Sequence, residues 1–180
     1  MRRALPLLLV IPTAARADTE QAVSVGVGYA TFSVPGEAED PEMAPPTLSP
    51  YGGIALGVTY ERSVGTDVVL RGELLGGSFY GGAQKDQSNF SYAALGDAGV
   101  ALRFDVFQYV PYAFVGLGGV LSGGGPIDRG IDYALVAGAG LDVLRSRERS
   151  WGGELRLASF AGDVTVFTVG VRGTARWGFF

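Results

Sequence analysis

Residues 163–180 read DVTVFTVGVRGTARWGFF. From Phe167 onward every second residue is apolar or small (Phe167, Val169, Val171, Gly173, Ala175, Trp177, Phe179), and the interleaved set is Thr168, Gly170, Arg172, Thr174, Arg176 and Gly178. A period of two puts these sets on opposite faces of one strand. A strand of a soluble sandwich turns its apolar side to the core and its charges to water, so the fold depends on which face of this strand looks inward.

Working back from this stretch, alternating segments recur at about 21–34, 51–62, 67–80, 90–104, 108–121, 131–144 and 150–161. Each is long enough for a tilted membrane-crossing strand, and turn residues separate them. The second sets Ile54, Leu56, Val58 and Tyr60 against Gly53, Ala55, Gly57, Thr59 and Glu61; the sixth sets Tyr133, Leu135, Ala137, Ala139, Leu141 and Val143 against Asp132, Gly138, Gly140 and Asp142. In the fifth, the phase of Phe114 is open. The connections alternate between short turns and longer loops, except for a brief last link at 161–163.

The charges inside these segments share one face with the glycines: Glu61, Arg71, Glu73, Asp97, Arg103, Asp132, Asp142, Glu154, Arg156, Arg172 and Arg176. The opposite face is almost free of charge. If the charged face met water, the chain would be a soluble ligand-binding barrel of the lipocalin kind. The repeated glycines between long charged side chains suit a narrow lumen instead, and a solvated face would carry more lysine than Lys85 alone. The expected fold is therefore all-β, an eight-stranded antiparallel up-and-down transmembrane β-barrel. Its lumen acids and bases then pair and hydrogen-bond, because a buried charge left alone is costly. Aromatics fall towards strand ends, with Tyr60, Phe104, Phe107, Tyr109, Trp151, Trp177 and Phe179 expected at one rim and Tyr29, Phe79, Tyr80, Tyr92, Tyr133 and Phe167 at the other.

The N-terminus carries an export signal: Arg2 and Arg3, an apolar run over 4–12, and Ala15-Arg16-Ala17 as an A-x-A cleavage site. Residues 1–17 are expected to be cleaved, leaving 18–180 as a single barrel domain. Cleavage removes Arg2, Arg3 and Arg16 and no acid, which moves the net charge from −4 to about −7. An acidic exported chain without a basic stripe is a poor partner for nucleic acid. The absence of cysteine excludes disulfides and an N-terminal lipid anchor.

The whole pattern, with the terminal GTARWGFF, resembles the small bacterial outer-membrane β-barrels of the OmpA/OmpX type over nearly all of 18–180. That resemblance implies residence in the bacterial outer membrane in contact with its lipid, both termini in the periplasm, and longer loops outside. It also implies that Trp177, Phe179 and Phe180 form the signal read by the barrel assembly machinery. Phe180 is out of phase with Trp177 and Phe179, and a bulge at Gly178 would turn it back to lipid.

Barrel hydrolases and acyltransferases of that membrane use histidine as base. This chain has neither His nor Cys, so no catalytic, cofactor or metal residues are assigned. The glycine runs at 116–119 and 123–125 lack the lysine and helix of a phosphate loop. Loop 35–50 (PGEAEDPEMAPPTLSP) is acidic and proline-rich, with Glu37, Glu39, Asp40 and Glu42 available to an extracellular partner; their spacing matches no EF-hand. The expected role is non-enzymatic and structural or surface-interacting. A small channel for ions or apolar solutes and a soluble periplasmic binding barrel stand as the alternatives.

Overall fold

The computed structural model describes residues 20–35, 47–48, 52–80, 90–127, 130–160 and 163–178. The export signal, Phe179 and Phe180 lie outside them, as does the acidic loop apart from Pro35 and the Thr47–Leu48 pair that adds to the end of the first strand.

Eight long strands follow one another: β1 (Gln21–Pro35), β2 (Gly52–Ser63), β3 (Val68–Tyr80), β4 (Phe90–Arg103), β5 (Tyr109–Gly123), β6 (Gly130–Leu144), β7 (Arg149–Phe160) and β8 (Val164–Trp177). Each pairs antiparallel with its sequence neighbour, and β1 pairs with β8 from Gln21↔Trp177 to Ser33↔Thr165. The sheet thus closes on itself in up-and-down order, and closure satisfies the backbone groups an open edge would leave unpaired.

One end of the barrel has tight turns at 64–67, 104–108 and 145–148. In the second, Val106 and Tyr109 exchange backbone hydrogen bonds of 2.9 and 3.0 Å around Phe107-Gln108. Primed hairpin turns need a positive φ after the first residue, and Phe107 supplies 57° where glycine is the usual choice. Its ring is 95% exposed at this rim.

The barrel is inside-out. Mid-strand outward positions are apolar, among them Val25, Leu56, Leu74, Val115, Leu117, Leu135, Leu155 and Val171. Among the described residues, the only charges on that face in the strands are Arg62 and Arg149, both beside the short turns. Tyr60, Tyr109, Trp151 and Trp177 ring the short-turn end, and Tyr29, Tyr80, Phe90, Tyr92, Tyr133 and Phe167 the other. This exterior matches the apolar band and flanking aromatic girdles of a membrane barrel. No described helix is long and apolar enough to cross a membrane; the crossing elements are strands.

Phe79, expected in the outer girdle, is instead buried in the lumen. Unbroken alternation from Arg71 gives it the inward phase, and its ring meets Phe32 edge-on at 5.2 Å. It belongs to an apolar core that fills the long-loop half of the lumen, formed with Phe32, Val34, Val120, Ile127, Val136, Phe160 and Val164. The charges occupy the other half.

Candidate functional site: an ionic layer across the lumen

Inward positions near the short turns carry long charged side chains from six strands, and their geometry forms one connected layer. Arg172 on β8 donates from Nε to Asp142 Oδ1 at 3.0 Å and from Nη2 to Oδ2 at 2.9 Å. Its Nη1 reaches Glu61 Oε1 at 3.2 Å and Glu154 Oε2 at 3.5 Å. Arg71 on β3 donates from Nη2 to Glu73 Oε2 and Glu154 Oε2, both at 2.9 Å, and lies 3.5 Å from Glu61. Arg156 pairs with Glu73 at 2.5 Å and with Glu154 on its own strand.

At the lower edge, Arg103 donates to Glu61 Oε2 at 2.6 Å and to Glu20 Oε1 at 3.1 Å. Arg176 donates to Asp142 Oδ2 at 3.1 Å. The side chains of Glu61, Arg71, Glu73, Asp142, Arg156, Arg172 and Arg176 are all buried. Each carboxylate so held meets two or more guanidinium groups, and Arg172 grips Asp142 as a fork, the pairing that makes burial of such charges tolerable.

Two expected lumen residues stand apart. Asp132 has the inward phase but lies at the long-loop end of β6, where its Oδ1 accepts from the Tyr133 backbone N–H at 2.8 Å. The strand starts at the long-loop end and reaches the layer only at Asp142, ten residues on, so phase alone does not place Asp132 among the arginines. Asp97 is buried at the level of the layer, opposite Glu73 in the β3–β4 register, yet its Oδ2 has no hydrogen-bond partner.

Aromatic rings complete the layer. Arg71 stacks over Phe114 at 3.8 Å and Arg172 over Tyr112 at 4.1 Å, and the Tyr112 hydroxyl donates to Glu154 Oε2 at 2.9 Å. These contacts fix the open phase of Phe114 as inward. Neither ring stands out in the strand alternation, although the sequence does carry a signal. Tyr112 and Phe114 lie in register with Gly140 and Gly138 of β6, and a Cβ on either glycine would enter the facing ring. Two inward aromatics opposite two glycines show rings laid across a neighbouring strand.

The layer leaves little open space. A cavity of about 40 Å³ remains beside it against Gly26, Gly28, Gly57 and Gly170, room for roughly three waters. Ser24 and Thr174 hydroxyls bond each other at 2.8 Å, Ser150 donates to Asp142 Oδ2 at 3.4 Å, and Asp142, Glu73 and Glu154 are all held by arginines. Among the described residues no acidic cluster is arranged to hold a metal ion.

Solved structures share this barrel fold. Neisserial surface protein A aligns with a TM-score of 0.65 at 10% identity, over 87% of this chain and 97% of that one. The fold is that of the small outer-membrane β-barrels. Ail, the attachment invasion locus protein of Yersinia pestis, has the same barrel at a TM-score of 0.56 and 15% identity, over 89% of this chain and 99% of its own. The outer-membrane enzyme PagL aligns at 0.50 and 14%, over 86% and 98%. No protein-family model and no curated protein matches the sequence. A barrel fold that includes both surface proteins and an enzyme leaves function to be argued from side chains.

Proposed function

We propose that this chain is a non-enzymatic, integral protein of the bacterial outer membrane, exported through residues 1–17, closed to ions by its lumen layer and acting through its surface. The observation that carries this reading is the cross-lumen network centred on Arg172, Arg71 and Glu154. It joins five strands with buried ion pairs and leaves only water-sized gaps. The lack of histidine removes the usual base for neutral-pH hydrolysis. Neisserial surface protein A and the attachment invasion locus protein bear names that place them at cell surfaces, which favours the same setting for this chain. In this reading the acidic loop 35–50 meets an extracellular partner and the aromatic end is read by the assembly machinery.

Topology gives a direct test, because Lys85 in the connection between β3 and β4 is the only lysine. A membrane-impermeant amine reagent applied to intact cells is expected to label Lys85 and to spare the N-terminal amine. The reverse pattern overturns the assignment of sides. Planar-bilayer recording tests closure: the expected result is no steady conductance, and conductance that depends on Arg172 would favour a channel.

A further inference from the structure

The turn between β6 and β7 sets two arginines face to face. Val143 pairs with Trp151 and Leu144 with Ser150, and at the next position the Arg145 backbone N–H donates to the Arg149 carbonyl at 2.9 Å. Alternation from Trp151 puts both arginines on the outward face, and both are exposed. Opposed residues stand about 5 Å apart at Cβ, and like charges placed in this way repel. Among the described residues neither guanidinium pairs with a carboxylate, not even that of Glu148 in the same turn. The lumen arginines differ in this respect, since Arg71 and Arg172 are each held by acids.

Arg145 lies instead over the Trp151 ring, 5.8 Å from its centroid, within cation–π range. Trp151 is the next outward residue after Arg149 on β7 and belongs to the girdle at the short-turn end. Such girdles sit at the depth of lipid headgroups. Two unmatched cations and an aromatic plate therefore face the level where lipid phosphates lie. We propose that Arg145 and Arg149 clamp the phosphate of one anionic phospholipid in the leaflet beside the short turns, with Trp151 against its glycerol and upper acyl chain. The phosphate relieves the repulsion and accepts charge-assisted hydrogen bonds from both guanidinium groups. A zwitterionic headgroup brings an ammonium to the same place, which two guanidinium groups disfavour, so the clamp selects net negative charge. Arg62, the other outward cation within a strand, has no part in it. It lies three strands away around the closed sheet, opposite Gln21 and Leu70. The proposal rests on the membrane reading but not on which side the loops occupy.

The chain has two tryptophans, Trp151 and Trp177, so Trp177→Phe leaves Trp151 as the only one. This protein is refolded into vesicles of brominated phosphatidylglycerol mixed with plain phosphatidylcholine, and into the reverse-labelled mixture, and quenching of Trp151 fluorescence is compared. Phosphatidylglycerol is expected to be favoured beside Trp151 about fivefold or more, the equivalent of one arginine contact at a lipid surface. Arg145→Gln with Arg149→Gln is expected to bring the ratio close to one, and Arg62→Gln to leave it unchanged. The wild-type protein carries the comparison if Trp177→Phe fails to fold, because Trp177 lies on the same rim. Equal quenching by the two lipids overturns the clamp and leaves the membrane reading intact, whereas quenching by neither overturns both. An equal loss of preference in Arg62→Gln would show diffuse attraction to the whole rim and would also overturn it.

Discussion

Arg172 holds Asp142 with two parallel hydrogen bonds, Nε to Oδ1 and Nη2 to Oδ2, although the two residues sit on strands separated by β7. Asp142 is completely buried, so losing this partner leaves its carboxylate, away from water, to Arg176 and a 3.4 Å contact with Ser150. Arg172→Ala is expected to cost about 3 kcal/mol, the lower end of the penalty for breaking a buried pair, because Arg176 stays in place. Urea unfolding of the protein in lipid vesicles measures it. Arg172→Met combined with Asp142→Leu should recover part of that loss, giving a coupling above roughly 1 kcal/mol. Strictly additive losses would show that the pair is not a unit.

The rings laid across β6 make a second prediction. Gly140→Ala drives a methyl into Tyr112, which supports Arg172 and bonds Glu154, and should cost about 1–3 kcal/mol of overpacking. Gly173→Ala adds the same methyl on the outward face of β8 with no atom within 4 Å, and is expected to change little. Equal effects in the same unfolding assay would contradict the cross-strand contact.

Depth in the membrane supplies a third. Leu117 lies mid-strand on the outward face of β5 and is 67% exposed, whereas Leu121 lies near the long-loop end. Leu117→Arg should lose about 2–4 kcal/mol in vesicles and Leu121→Arg roughly 0–1. Both costs should largely vanish if that face meets water, which a comparison of the two variants would reveal.

The closing strand gives the fourth. Trp177 pairs with Gln21 at the seam between the first and last strands. Deletion of 177–180 is expected to permit export but to prevent insertion, read as loss of the heat-modifiable folded form on gels. A truncated protein that still migrates as a folded barrel from the membrane fraction would show that the aromatic end is dispensable.

Alternation makes the strands legible in the sequence itself, because lipid outside and side chains inside enforce a period of two over every crossing. Residue pairs such as Glu61 and Arg71 are readable as neighbours in the lumen for the same reason, and they do meet. What alternation does not encode is height. Phe79 and Arg71 share a phase but lie in different halves of the lumen, one in the apolar core and one in the ionic layer. Asp132 and Asp142 differ in the same way. Height depends on register across the sheet, which turn lengths and closure determine together. The end of the chain marks the limit of phase reasoning too: β8 stops at Trp177, and Gly178 takes a φ of 85°, a left-handed conformation open to glycine.

The ionic layer also bears on how such a barrel comes to be made. Arg172 finds Glu61 across 111 positions of sequence, and Arg103 and Arg176 both reach Glu20, which precedes the first strand. A hairpin inserted by itself would carry these charges without their distant partners, at a high cost in hydrocarbon. They are matched together only when the last strand meets the first. The layer thus functions as a latch on completeness: it rewards the finished ring and penalises every partial one, so that an unclosed sheet is a poor resident of the bilayer.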